Sequence, residues 1–172
     1  MDLKSKIRVI PDFPKEGISF KDITTLLSDK DAFAETIEVL ADAVKGYDFD
    51  YIAGIEARGF IIGAPLAIKL NKGFLPIRKP GKLPGKVIQE SYDLEYGSNT
   101  IEMDSEALKP GDRVVILDDL LATGGTAVAA TKLVESTGAV VAAVGFFVEL
   151  TELKGMEMLS DYETFSVLKY DK

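Results

Sequence analysis

The chain has 172 residues, 47% of them hydrophobic, and sets 28 acidic against 20 basic side chains for a net charge of −8. It contains no cysteine and no histidine, which removes disulfides, thiolate nucleophiles, Cys- or His-ligated metals and imidazole acid–base chemistry. The acidic balance argues against nonspecific nucleic-acid binding, which runs on Lys and Arg.

Proton transfer therefore falls to carboxylates, Lys, Tyr, substrate or water, and a hard ion such as Mg²⁺, bound through oxygen, stays open. An anionic substrate also stays open, because local basic groups can focus the field. The length is that of one domain, residues 1–172, able to bury roughly 70% of its unfolded surface. No apolar run reaches the ~18 residues of a spanning helix. The start, MDLKSKIRVI, lacks the apolar core of a signal peptide. A soluble cytoplasmic protein is the default expectation.

Residues 2–9 read as a short helix stopped by Pro11. PDFPKEGISFKDITTLL follows, rich in Pro, Gly and polar groups yet carrying Phe13, Ile18, Phe20 and Ile23. It reads either as a hydrophobic loop over the core or as a structured functional loop. From Asp29 to Lys45, Phe33, Ile37, Leu40, Ala41 and Val44 make one apolar stripe, so an amphipathic helix is expected, stopped by Gly46.

Tyr51–Ile55 is a buried-strand candidate running into EARGF and a helix over 60–70. Arg58 at this strand tip is either a surface Arg paired with Glu56 or a planar fork that orients pyrophosphate oxygens. Phe74–Ile77 is a third strand. After it Arg78, Lys79, Lys82 and Lys86 cluster among Pro80, Gly81, Pro84 and Gly85, a solvated basic loop or a mobile lid over a polyanion. Ser91–Gly97 returns from that loop, with Thr100–Met103 as hairpin partner and Gly97-Ser98-Asn99 as turn.

Pro110-Gly111-Asp112 turns into RVVILDDLLATGGTA, Arg113 to Ala127. Val114–Leu117 read as a buried strand, Asp118 and Asp119 as adjacent carboxylates at its tip, and residues 126–136 as a helix. Gly124 and Gly125 permit backbone angles and close approach that a side chain blocks. Free N–H groups at the helix start and the positive end of its dipole make an anion seat, with Thr123 and Thr126 as further donors. The plainer reading is a tight turn with a solvated N-cap. A nucleotide P-loop is excluded by the missing Lys, and a dinucleotide fingerprint by the glycine spacing. Val140–Leu150 is a nearly continuous apolar run, expected as a buried central strand, and Phe165–Tyr170 a final strand. Strands alternating with helices give an α/β domain with a mostly parallel sheet, its ligand at the carboxyl ends of the strands.

The run from Asp118 to Thr126 resembles the phosphoribosyl-pyrophosphate (PRPP) signature of the type I phosphoribosyltransferases. Its Leu-Leu-Ala-Thr-Gly-Gly-Thr form is similar to that of the adenine-using members. GIEARGFIIGAPLA, RKPGKLPG with YDLEYG, and ELTELKG resemble the same family's segments, over nearly the whole chain from Pro11 to about Gly155; the match departs at Pro80, where some relatives carry a basic residue. The resemblance implies the type I phosphoribosyltransferase fold, with an N-terminal hood (about 1–30) and a flexible catalytic loop (about 79–97).

It also implies transfer of phosphoribose from PRPP to adenine, giving AMP and pyrophosphate. Asp118 and Asp119 would hold the ribose hydroxyls, and Ala122, Thr123, Gly124, Gly125 and Thr126 the 5′-phosphate. Ala57, Arg58, Arg78, Lys79 and Lys82 would meet pyrophosphate. Phe20 would stack on adenine, with Ile18, Ser19 and Lys21 reading its edge through backbone groups. Glu95 would be the proton-transfer carboxylate and Tyr96 would cover the site. Mg²⁺ would enter with PRPP and no residue would ligate it directly. A homodimer is implied. Two alternatives stand beside this reading: transfer to another purine, and a PRPP-binding regulator without catalysis.

Overall fold

The computed structural model describes residues 1–94 and 97–171. In chain order they form β1 (Arg8–Ile10), β2 (Phe20–Asp22), α1 (Thr24–Leu27), α2 (Lys30–Val44), β3 (Tyr51–Ile55), α3 (Arg58–Leu70) and β4 (Gly73–Ile77). There follow β5 (Val87–Leu94), β6 (Gly97–Asp104), β7 (Arg113–Leu121), α4 (Gly125–Ser136), β8 (Val140–Leu150) and β9 (Thr164–Tyr170). Strands β4–β3–β7–β8–β9 make one sheet in that order, all pairs parallel. Two antiparallel hairpins, β1–β2 and β5–β6, stand apart from it. No helix among the described residues is long and apolar enough to cross a membrane.

Parallel strands joined by helices are covered on both faces, so they lose the alternation of a half-exposed strand. Val114–Leu117 of β7 are fully buried, and Ala142–Val148 of β8 nearly so. One core lies between the sheet and α2 and α3, where Leu40, Val44, Ile52, Ile62 and Leu66 meet Phe147. The other packs α4, through Ala130, Leu133 and Val134, on Ile116, Val144 and Phe146. Helix α2 begins where the Asp29 carboxylate accepts the N–H groups of Asp31 and Ala32, an N-cap.

The sheet changes direction between β3 and β7. From β3 the chain first goes outward to β4, then returns past β3 to β7, β8 and β9. The helices that follow β3 and β7 thus diverge, and the crevice above the strand ends is where α/β sheets hold ligands.

Two expected elements differ. The helix over residues 2–9 is a single 3-10 turn, Leu3–Lys6. Leu3 and Ile7 are both buried, but Arg8–Ile10 leave the helix to pair with Phe20–Asp22. Partners far along the chain decide this: Arg8 donates to Asp22 at 2.6 Å and its N–H to Thr25 Oγ1 at 3.1 Å. The β5–β6 hairpin also starts earlier than expected. Leu94 pairs with Gly97 and Tyr92 with Asn99, so Gly97, Ser98 and Asn99 belong to strand β6 and are not the turn.

The β1–β2 hairpin lies within the segment expected as the hood, and several polar contacts fasten it. The Thr24 hydroxyl and the Arg8 guanidinium both donate to Asp22, helped by the Thr24 N–H, and together they hold the Asp22 carboxyl down at about 2. Successive strand residues point to opposite faces. Phe20 lies near Arg58, while Lys21 donates to Ser19 Oγ at 2.8 Å and faces the Tyr170 ring at 5.0 Å. Lys4 lies over the same ring at 4.5 Å. Burial pushes the Lys21 ammonium pKa down and the Tyr170 hydroxyl pKa up.

Candidate active site

Two helices begin side by side at the ends of neighbouring parallel strands. Helix α3 starts two residues after β3, and α4 starts three residues after β7. Neither has a side-chain N-cap, so their leading N–H groups are available to an anion. Gly124, at the cap position of α4, has φ of 97°, a left-handed conformation that L side chains seldom adopt. A Cβ there would lie 2.9 Å from the Gly155 carbonyl oxygen. The Glu56–Ala57 peptide before α3 is cis.

Between the two helix starts stand Asp118 and Asp119. Asp119 is 7% exposed, and its Oδ2 accepts from Arg58 Nε at 2.6 Å. Asp118 Oδ1 accepts the Asp119 N–H at 2.8 Å. Burial, followed by the charge of Asp119, holds the Asp118 carboxyl well above the usual carboxylate range. Burial opposes charge on Arg58 as well, but Asp119 and Asp118 outweigh it and keep the guanidinium protonated. Helix α3 reaches this close because residue 59 is glycine. A Cβ on Gly59 would lie 3.1 Å from the Leu117 carbonyl oxygen and 3.3 Å from Asp118 Oδ1.

A cavity of about 670 Å³ opens here, bounded by Ala57, Arg58, Lys79, Asp118, Asp119 and Thr126. A smaller one of about 160 Å³ adjoins it over the turn Ala122–Thr126. Asp118 and Thr126 line both. The space thus has a small end at one helix N-terminus and a wide end at the other, with carboxylates between them.

The structure gathers most of the residues expected from the sequence. Ala57, Arg58 and Lys79 border the wide cavity, and Ala122, Thr123, Gly124, Gly125 and Thr126 the narrow one. Arg58 bonds Asp119 and not Glu56. Glu56 instead accepts from Arg78 Nε at 3.1 Å and from the Lys79 N–H at 2.7 Å, so Arg78 is held beside the cavity. Lys82 is exposed and borders neither space. The Phe20 ring lies 5.9 Å from the Arg58 guanidinium and stands edge-on to Phe13 at 5.2 Å. Ile18, Ser19 and Lys21 flank it on the hood, with the Ile18 carbonyl accepting the Phe13 N–H at 3.1 Å. Glu95 and Tyr96 lie outside the described residues.

Some residues of the site carried no signal. Glu102 reads as one more hairpin carboxylate, yet it is 3% exposed. Its side chain accepts the Gly81 N–H at 3.0 Å and a bond from Gln89, fixing the start of the basic segment. Tyr92 and Asn99 face α4 from the hairpin and line both cavities. Gly155 packs behind the narrow cavity, where a Cβ would lie 2.5 Å from the Ala122 carbonyl oxygen. Only a register for the hairpin would have brought Tyr92 and Asn99 together.

Two uncapped helix N-termini, a buried carboxylate pair and neighbouring cations thus meet in one switch-point crevice. The phosphoribosyl transferase domain model matches residues 22–169, and the chain belongs to that family. Within it, the similar proteins are adenine phosphoribosyltransferases. That of Halothermothrix orenii is 57% identical over 169 residues, 98% of this chain and 99% of the relative. The crystal structure of the enzyme from Thermoanaerobacter pseudethanolicus superposes with a TM-score of 0.96 at 53% identity, covering 98% of each chain. That of the Saccharomyces cerevisiae enzyme, complexed with an imino-altritol bisphosphate and adenine, superposes at 0.91 with 40% identity and 97% coverage of each. The fold is accordingly that of the type I phosphoribosyltransferases.

Proposed function

We propose that this chain transfers the 5-phosphoribosyl group of PRPP to adenine, forming AMP and releasing pyrophosphate, a purine-salvage reaction. The observation that carries the reading is the carboxylate pair Asp118–Asp119 set between two uncapped helix N-termini, with Arg58 bonded into it. The narrow seat of Ala122–Thr126 takes the 5′-phosphate, through the first N–H groups of α4, that of Thr126 among them, and the Thr123 hydroxyl. Asp118 and Asp119 take the ribose 2′ and 3′ hydroxyls.

At the anomeric carbon the bond to pyrophosphate breaks and a bond to N9 of adenine forms. Positive charge grows on the sugar ring as pyrophosphate leaves. The two carboxylates lie beneath it and stabilise that charge. Ala57, Arg58, Lys79 and, swung from Glu56, Arg78 offset the charge of the departing pyrophosphate, with Lys82 closing from the loop. Mg²⁺, held by oxygens of PRPP and water and by no residue assigned to the site, would add positive charge at the departing pyrophosphate. Phe20 supplies the flat face for adenine, whose edge is read by backbone groups of Ile18, Ser19 and Lys21. Glu95 receives the N9 proton, and Tyr96 helps to cover the site and exclude the water that would hydrolyse PRPP. The protein works in the cytoplasm as a homodimer of one-domain chains.

The purine is tested by offering adenine, hypoxanthine, guanine and xanthine with PRPP and Mg²⁺ and separating the nucleotides by chromatography. AMP as the dominant product is expected. A dominant product from an oxopurine moves the reading to that base, and binding of PRPP without any nucleotide makes the chain a regulator.

A further inference from the structure

We infer that the Tyr92 hydroxyl is a ligand of the 5′-phosphate, and that it ties the β5–β6 hairpin to the occupant of the α4 seat. The inference rests on the sugar-phosphate reading above and adds a donor that comes from outside the β7–α4 turn.

Hydroxyl accounting is the first argument. The Thr126 hydroxyl donates to the Tyr92 hydroxyl oxygen at 2.7 Å, so the proton expected to serve the phosphate is already committed. The Tyr92 hydroxyl carries a proton of its own, and no acceptor for it exists among the described residues. Position is the second argument. Tyr92 and Thr126 both border the narrow cavity as well as the wide one, so this proton sits at the mouth of the phosphate seat. A phosphate oxygen placed there would complete a chain from Thr126 through Tyr92 to the ligand, and each link polarises the next.

The third argument is how tightly the ring is placed. A Cβ on Gly125 would lie 3.2 Å from Tyr92 Cδ2, so the ring lies on the first turn of α4 where only glycine leaves room. Directly opposite Tyr92 in the hairpin is Asn99, which shares its face and borders the same two cavities. The hairpin therefore presents two polar groups to the seat, while the β7–α4 turn presents its N–H groups from the other side. A bound phosphate then holds the hairpin against α4.

The test uses ribose 5-phosphate, with D-ribose as the control lacking phosphate. Its dissociation constant is measured by calorimetry, and amide hydrogen exchange is followed across residues 87–104. The wild type should bind ribose 5-phosphate and slow exchange in the hairpin. Tyr92→Phe keeps the ring on Gly125 and removes only the hydroxyl. It should weaken ribose 5-phosphate about 10-fold, the effect of losing one hydrogen bond to a charged group, and abolish the ligand-dependent slowing of exchange.

In turnover the PRPP KM of Tyr92→Phe should rise with the adenine KM unchanged. Thr126→Val, which removes the hydroxyl that donates to Tyr92, should lose the hairpin response as well, because it breaks the chain of donors. Wild-type affinity and wild-type protection in Tyr92→Phe overturn the inference, as does a wild-type chain that does not bind ribose 5-phosphate. A wild-type chain that makes no AMP yet shows the differences above upholds Tyr92 and removes the proposed reaction.

Discussion

A single methyl group on Gly155 tests whether the segment after β8 sets the shape of the sugar-phosphate seat. Gly155 does not lie among the residues with positive φ, so alanine fits its backbone and the perturbation is steric. The added Cβ would stand 2.5 Å from the Ala122 carbonyl oxygen and 2.8 Å from Leu121 Cδ1. The Leu121 side chain can rotate, but the carbonyl is backbone in the turn proposed to hold the phosphate. An ordinary contact begins at 3.4 Å, so the two segments must part by about 0.9 Å. A displacement of roughly 1 Å in a positioned group lowers turnover about 10²-fold. Overpacking of this kind also destabilises by about 1–3 kcal/mol, which for a chain of this size lowers Tm by roughly 2–12 °C. Gly46→Ala is the control, since a Cβ there meets nothing within 4 Å. The assay is AMP formation at saturating adenine and varied PRPP, beside a melting curve. Gly155→Ala with kcat/KM for PRPP and Tm both equal to the Gly46→Ala control would refute the reasoning.

Asp118→Asn should lower turnover by about 10²-fold or more, as for loss of a positioned charge, and should raise Tm at neutral pH. The folded state raises the Asp118 pKa, so ionising it disfavours folding; this penalty grows as pH rises through the unfolded value, about 3.9, and is complete above the folded value. The Tm gain should vanish at acid pH below both values, and a melting curve without any gain at neutral pH counts against the burial argument. In Asp119→Asn the like charge beside Asp118 is gone, so the acid limb of kcat/KM for PRPP should move to lower pH; a limb that stays or moves up contradicts the coupling. Phe20→Ala should raise the KM for adenine several-fold more than that for PRPP, and equal effects would leave Phe20 with its packing on Phe13 alone.

What the sequence made legible follows from where the controlling partners lie. Strands β3 and β8 were delimited residue for residue, because strands covered on both faces are written as unbroken apolar runs. The Asp118–Thr126 run was legible because its glycines, hydroxyls and carboxylates are contiguous and sit where strand gives way to helix, although β7 runs on to Leu121, so that Asp118 and Asp119 belong to the strand and not to a turn. Partners distant in the chain were not legible. Nothing near Arg58 announces Asp119, so the sequence offered only Glu56 as an ion-pair partner beside the pyrophosphate reading, and Glu56 in fact holds Arg78. The Gly97-Ser98-Asn99 run has turn composition, yet the hairpin register absorbs it into a strand. The N-terminal helix failed for the same reason, since Asp22 and Thr25 compete for Arg8. Gly59 and Gly155 look like ordinary punctuation until the neighbour that a methyl would strike is known.

The Tyr170 ring, flanked by Lys4 and Lys21, gives the molecule a temporal order. A ribosome delivers the hood early and this fastening only after all five strands of the sheet have been made. Closing a contact over so much chain is slow relative to the local pairing of β1 with β2. During synthesis the sugar-phosphate end of the crevice is therefore complete in sequence by the close of α4, while the base end still waits for its anchor. A chain shortened before β9 would retain every residue proposed for PRPP, but it would lose the edge strand of the sheet together with the cation-flanked ring that pins the β1–β2 hairpin.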